Sequence, residues 1–244
     1  EVPYVKNKIE GEVVEYWPSG KLKSKMAYKK GSKTGESLGF FEEGALAWNE
    51  DYMDDRLRSG VYYNRAKDLI SEVQNGGGFA ARFDEDQLTL IEYRIGLPEG
   101  SVRTFNAHGE LQKSLFIKNG MKHGEEVEYF LPSALPKLSI HWNENRIHGC
   151  VKTWYDNGKL QSQREYSRNQ RMGPSLAWYR DGSLMLYEEY EEDRLVSGQY
   201  YKLQKKEPVS TVANGNGLAT LFDDMGAFLR KVHYLKGKPF DPEE

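Results

Sequence analysis

The chain has 244 residues, a formal net charge of −3, and 34 basic against 37 acidic residues spread along its length. This balance provides no basic surface for nucleic acid and no polybasic membrane patch, and the apolar runs are too short for a transmembrane segment. The single cysteine, Cys150, excludes an internal disulfide and any cysteine-based metal site.

The chain opens on the end of a repeating unit, because residues 4–11 have the same spacing of key residues as residues 28–35. Its first residue is not Met. Either a leader was removed or the N-terminus was trimmed. The protein is accordingly expected to be either exported or cytoplasmic.

The first full unit begins at Gly11 and sets a pattern that recurs about every two dozen residues. An aromatic pair follows five and six residues after the glycine, then come a second glycine, a leucine and a further aromatic residue. Beyond the second glycine apolar and polar residues alternate, and a period of two predicts a β-strand. The pattern residues of this unit are Gly11, Tyr16, Trp17, Gly20, Leu22 and Tyr28.

Two kinds of connection are predicted within and between units. Pro18-Ser19-Gly20 and Asp156-Asn157-Gly158 read as tight hairpin turns, since such turns need positive φ angles. Residues 30–35 read as a glycine-bearing loop that leads to the next hairpin. Because a single hairpin is marginally stable, stacked hairpins must bury each other's aromatic and leucine rows.

The unit at Gly60 is shortened, and the next unit glycine, Gly78, arrives after 18 residues. Asn75-Gly76-Gly77-Gly78 could suggest a phosphate-binding loop, but a strand pattern follows instead of the helix that such a loop needs. Asp84-Glu85-Asp86 could suggest calcium, yet the ligand spacing is missing. Both segments are therefore predicted to be turns.

Residues 96–148 are present in only one version. The unit at Gly124 replaces its turn with the longer loop Leu131–Pro136, which its prolines keep out of the strand ladder. Residues 149–195 then repeat the pattern of residues 11–57 at a separation of 138. One continuous repeat domain is predicted, with the first block and the single-version middle over 1–148 and the second copy over 149–244.

The recurring pattern Gly-x4-Tyr-Tyr/Trp-x2-Gly-x-Leu resembles the bacterial variant of the MORN repeat, as found in the YwqK-like antitoxin family. The resemblance implies an all-β fold, an elongated single meandering antiparallel sheet of stacked β-hairpins that forms a MORN-like solenoid. It also brings a toxin-neutralising role into consideration, although partners vary within the family.

No catalytic or metal-binding constellation is predicted. His123 and His148 each precede a unit glycine and could share a metal or a proton, but no carboxylate stands at a spacing that completes the site. Cys150 follows His148-Gly149, but no third group is evident that would complete a nucleophilic site. We expect a non-enzymatic protein with no cofactor and no metal.

The aromatic pairs are the strongest functional signal, because neighbours on a strand point to opposite faces. One member packs against the next unit, and the other either lines an exposed aromatic ladder or is covered by lysine and arginine stems. We predict a monomeric scaffold that binds another protein, and the alternative is carbohydrate or cell-envelope binding through the same ladder. The predicted contacts are Trp17, Phe41, Tyr155 and Tyr179, with Leu131 and Leu135 as a second contact.

Overall fold

The computed structural model describes residues 2–84 and 86–241, and all regular structure in this part of the chain is β-strand. Successive strands pair in antiparallel hairpins, which confirms the predicted all-β repeat fold. No helix in the described residues could span a membrane.

The chain forms two compact units. The N-terminal unit comprises Glu1–Gly109 and Phe116–Met121, and the C-terminal unit comprises Glu110–Leu115 and Lys122–Glu244. The units divide within the segment that occurs once, so each unit holds one copy of the duplicated block. The predicted boundary between residues 148 and 149 marks the start of the second copy of the repeats, not the division between compact units, and it stays a prediction.

In the N-terminal unit, strands β3 to β11 pair in chain order, and β1 pairs with β2. These strands are β1 (Tyr4–Val5), β2 (Lys8–Ile9), β3 (Gly11–Tyr16), β4 (Leu22–Lys29), β5 (Ser32–Phe40), β6 (Leu46–Met53), β7 (Arg56–Tyr63), β8 (Leu69–Gln74), β9 (Gly77–Asp84), β10 (Gln87–Arg94) and β11 (Leu97–Phe105).

Among the remaining strands, β12 pairs with β14, and β14 to β24 pair in chain order. They are β12 (Leu111–Lys118), β13 (Met121–Lys122), β14 (Gly124–Tyr129), β15 (Pro136–Asn143), β16 (Arg146–Trp154), β17 (Leu160–Ser167), β18 (Gln170–Trp178), β19 (Leu184–Glu191), β20 (Arg194–Tyr200), β21 (Ser210–Ala213), β22 (Asn216–Phe222), β23 (Phe228–Leu235) and β24 (Lys238–Phe240).

The two kinds of turn are the reverse of those predicted. The tight turn is Lys30-Gly31, where both residues have positive φ (53° and 92°), and β5 follows at once. The connection around Pro18-Ser19-Gly20 is wider, because five residues separate β3 from β4. A two-residue turn of this kind matches the strand twist only when both central residues adopt positive φ, and Lys-Gly satisfies this.

In several units the opening glycine lies in a β-bulge. Between β4 and β5 the pairing changes from Met26↔Ser37 to Tyr28↔Lys33, and Gly35 lies in the bulged stretch with φ of 90°. Gly149 lies in a bulge of the same kind between β15 and β16, with φ of 103°. At these two positions the unit glycine is therefore explained by a backbone conformation that other residues rarely adopt.

Neighbouring tight turns are joined by reciprocal hydrogen bonds. The Lys33 N–H donates to Asp55 Oδ1 (2.8 Å), and the Asp55 N–H donates to the Lys33 carbonyl (3.0 Å). Arg171 and Asp193 repeat this pair at 2.8 and 3.0 Å. Aspartate tolerates the positive φ of the turn while its side chain connects adjacent hairpins.

Each copy of the block builds a core around tyrosines that surround a buried glutamate. In the N-terminal unit Glu50 is 3% exposed and accepts hydrogen bonds from Tyr62 (2.7 Å) and Tyr52 (3.1 Å). In the C-terminal unit Glu188 is 8% exposed, and Tyr200 and Tyr190 donate to it (2.9 and 3.2 Å). The tyrosines also pack with Leu57 and Val73 in the first copy and with Leu195 and Val212 in the second.

Candidate partner-binding site

The predicted contacts Tyr155 and Tyr179 are buried, with exposed fractions of 3% and 0%. The Tyr155 hydroxyl donates to the carbonyl of Trp178 (2.8 Å), and the Tyr179 hydroxyl donates to the carbonyl of Tyr201 (2.6 Å). Burial raises the pKa of Tyr179 to about 12. The expectation that these two rings are accessible is wrong, because each one is used to join consecutive hairpins.

Trp17 and Phe41 lie together at a cavity of about 380 Å³ in the N-terminal unit. Trp17 is half-buried, and its indole N–H donates to the Phe40 carbonyl (3.2 Å). Phe41 is 4% exposed and packs edge-on against Phe83, with ring centroids 5.1 Å apart. Its expected free exposure is therefore wrong, although part of its surface faces the cavity.

Two cations cover the aromatic rings at this cavity. Lys23 Nζ lies 4.9 Å from the Trp17 ring centroid, and Arg65 Cζ lies 5.1 Å from that of Phe41. Such contacts hold the cations over the ring faces. One face of each of these two rings is thus already occupied by a cation of the chain itself.

Trp48 forms part of the same cavity and was not among the predicted contacts. It pairs across the strands with Gly39, and a Cβ atom on Gly39 would lie 2.1 Å from the indole. In the second copy the same pair is Ala177 and Leu186. Both members of the pair differ between the two copies, and this paired difference is the sequence signal that could have identified Trp48.

A second cavity of about 680 Å³ adjoins the first one, because Arg65 and Phe83 line both. Its walls are mainly apolar and include side chains from β10. We name the two cavities together the apolar groove, and its principal side chains are Trp17, Phe41, Trp48, Phe83, Leu88 and Leu90.

The predicted second contact lies in the C-terminal unit, on the loop between β14 and β15. Leu131 and Leu135 are 38% and 36% exposed. The loop is closed by a hydrogen bond from the Phe130 N–H to the Leu135 carbonyl (2.8 Å), and the Leu131–Pro132 peptide is cis. Both leucines are thus available at the surface.

The other motifs singled out in the sequence are the glycine-rich segments, a possible metal site and a possible calcium turn. Asn75-Gly76 and Asn214-Gly215 are two-residue turns followed by strands, as predicted. No group of three or more His, Cys, Asp or Glu side chains in residues 2–84 and 86–241 could hold a metal ion. The possible calcium turn contains Glu85, which lies outside the described residues.

Cys150 is half-buried, and burial together with the neighbouring Glu165 carboxylate raises its pKa to about 11. Only the thiolate is nucleophilic. Since the ordinary value is 9.0, we expect iodoacetamide to alkylate the native chain roughly 100-fold more slowly at pH 7 than it alkylates the urea-unfolded chain. The native rate should keep rising with pH until about 11; a plateau near pH 9 would contradict this assignment.

The comparisons with known proteins agree with the duplicated architecture. The family described as MORN repeat variant matches residues 9–30 and 147–168. The two matches begin 138 residues apart (147 − 9), which is the spacing of the duplicated block. No curated protein matches the chain. MORN repeats are generally scaffolds for interaction, and these two segments are similar to them.

Proposed function

We propose that the protein is a non-enzymatic repeat scaffold that binds another protein through the apolar groove of the N-terminal unit. The observation that carries the proposal is the groove itself, two adjoining cavities with aromatic and leucine walls. Apolar grooves of this kind on repeat proteins suit a segment that inserts large apolar side chains.

The composition of the groove supports a protein partner. Trp17, Trp48 and Arg65 belong to the residue types that most often carry binding energy at protein interfaces. The rim carries both charges, because Arg65, which pairs with Glu43 (3.0 Å), lines the cavity together with the exposed residues Glu42 and Asp84. An apolar centre with a polar rim is typical of such interfaces.

A glycan is supported less well by this geometry. Sugar binding by aromatic residues uses open ring faces, and in the groove Lys23 lies over one face of Trp17 and Arg65 over one face of Phe41. Among protein partners, a toxin is the class that the resemblance to YwqK-like antitoxins favours. Leu131 and Leu135 remain proposed as a second contact, in the C-terminal unit.

The test uses a random peptide library displayed on phage and selected against the full-length chain. We expect the enriched peptides to share large apolar residues and to bind the purified chain in calorimetry. The double variant Leu88→Lys/Leu90→Lys should weaken their binding about tenfold or more, since the apolar wall is lost. Leu229→Lys is the control, because Leu229 is 59% exposed and lies on β23 in the other unit.

Two outcomes would overturn the proposal. One is enrichment of peptides that bind the double variant as well as they bind the native chain. The other is a glycan array on which the native chain binds a sugar and the double variant does not, which would establish the carbohydrate function instead. Circular dichroism of both variants checks that the fold is kept.

A further inference from the structure

The two copies of the block share one row of side chains across four neighbouring strands. In the N-terminal unit the row is Met26, Ser37, Glu50 and Gly60. In the C-terminal unit it is Arg164, Ser175, Glu188 and Gly198. Only the first member differs, and it replaces a thioether with a guanidinium on the same face as the buried glutamate.

In the first copy the protein itself fills the space around this glutamate. Arg82 Nη2 lies 2.5 Å from Glu50 Oε1, and the Arg82 guanidinium also lies 5.3 Å from the Trp48 ring centroid. The carboxylate is therefore neutralised from within the chain, and the indole packs over Gly39 beside it.

In the second copy both of these groups are replaced. Leu221 stands four residues after Gly217, as Arg82 stands four residues after Gly78, so no guanidinium comes from this strand. Leu186 replaces the indole with a smaller side chain. Glu188 forms no ion pair with any described residue of the chain, although it is 8% exposed.

These exchanges leave a cavity of about 290 Å³ in the C-terminal unit, lined by Glu188, Arg164, Arg171 and Ser175. The Arg171 guanidinium lies 4.4 Å from the Tyr190 ring centroid, as Lys33 lies 5.2 Å from that of Tyr52 in the first copy. Arg164 has no carboxylate partner among the described residues. A buried carboxylate and a free guanidinium thus line one small cavity without forming an ion pair.

We propose that this cavity binds a small zwitterion of the α-amino acid class. Its carboxylate would pair with Arg164, beside Arg171, and its ammonium would donate to Glu188. Charged hydrogen bonds of this kind are strong where water is excluded, and both charges of the ligand find a complement that the chain does not supply to itself. This site is independent of the apolar groove.

The test is calorimetric titration of the full-length chain with glycine, L-alanine and L-leucine. Alaninamide keeps only the ammonium and N-acetylalanine keeps only the carboxylate. We expect a free amino acid to bind at one site, and both single-charge analogues to bind at least about tenfold more weakly. Arg164→Met and Glu188→Gln should each weaken binding about tenfold or more.

The sharpest variant rebuilds the first copy's packing in the second. Ala177→Gly with Leu186→Trp provides the Gly–Trp pair seen at Gly39 and Trp48, so the indole should fill the cavity and abolish binding. Met26→Arg in the N-terminal unit is the matched control and should leave the titration unchanged.

Absence of binding by all three amino acids up to about 10 mM would overturn the proposal. So would equal binding of alanine and either single-charge analogue, a comparison that needs no variant to fold. Binding that persists in the Ala177→Gly/Leu186→Trp variant would place the ligand elsewhere.

Discussion

Replacing Arg82 with alanine is expected to destabilise the N-terminal unit by about 3–5 kcal/mol, because it leaves a buried carboxylate without its cation. Glu50 is 3% exposed, and its Oε1 accepts both the Arg82 guanidinium (2.5 Å) and the Tyr62 hydroxyl (2.7 Å). Two tyrosine hydroxyls alone do not neutralise the charge. The free energy of unfolding from urea titration, followed by circular dichroism, measures the loss.

Two further variants isolate the cause. Arg58→Ala removes an exposed arginine that lies 4.0 Å from Asp51, so it should cost under about 1 kcal/mol. Adding Glu50→Gln to Arg82→Ala removes the uncompensated charge and should restore part of the lost stability. Equal effects of Arg82→Ala and Arg58→Ala would show that the Glu50 carboxylate does not need this cation.

The strands could be predicted because their pattern is local. Within β4 the alternation of Leu22 and Met26 with lysines identifies a strand without knowledge of its neighbours. The turns were harder, since Asn157-Gly158 and Asp181-Gly182 occur at wide connections, whereas Asn75-Gly76 forms a two-residue turn. Other tight turns use Lys30-Gly31 or Asp54-Asp55, and their positive φ angles are stabilised partly by hydrogen bonds to the next hairpin.

The site was predicted less well because it depends on contacts between repeats. The second aromatic of each pair stands at the wide turn, where the Tyr155 and Tyr179 hydroxyls reach the backbone of the following repeat. The alternation of side chains along a strand therefore does not predict whether these two tyrosines are exposed. Trp48 can lie in the groove wall only because Gly39, its partner on the neighbouring strand, has no side chain. This pairing has to be known before the role of Trp48 can be recognised.

Gly39→Ala is expected to destabilise the N-terminal unit by about 3 kcal/mol, near the upper end for overpacking. The added Cβ would lie 2.1–2.2 Å from three atoms of the Trp48 indole, so the ring must leave its position. The backbone itself is not strained, because Gly39 is not among the residues with positive φ. The loss is measured as the change in the free energy of unfolding in urea.

Adding Trp48→Leu should recover much of this loss, because the double variant reproduces the Ala177–Leu186 pair of the second copy. The unfolding free energies lost in the two single variants should therefore add up to more than the loss in the double variant. The difference is the coupling energy, and we expect it to be about 1–2 kcal/mol. Ala177→Gly, which removes a Cβ atom that faces leucine, should cost only about 0.5–1 kcal/mol. If the losses in unfolding free energy caused by Gly39→Ala and Trp48→Leu simply add, the two positions are independent. The glycine would then not be the reason why Trp48 occupies its position in the groove wall.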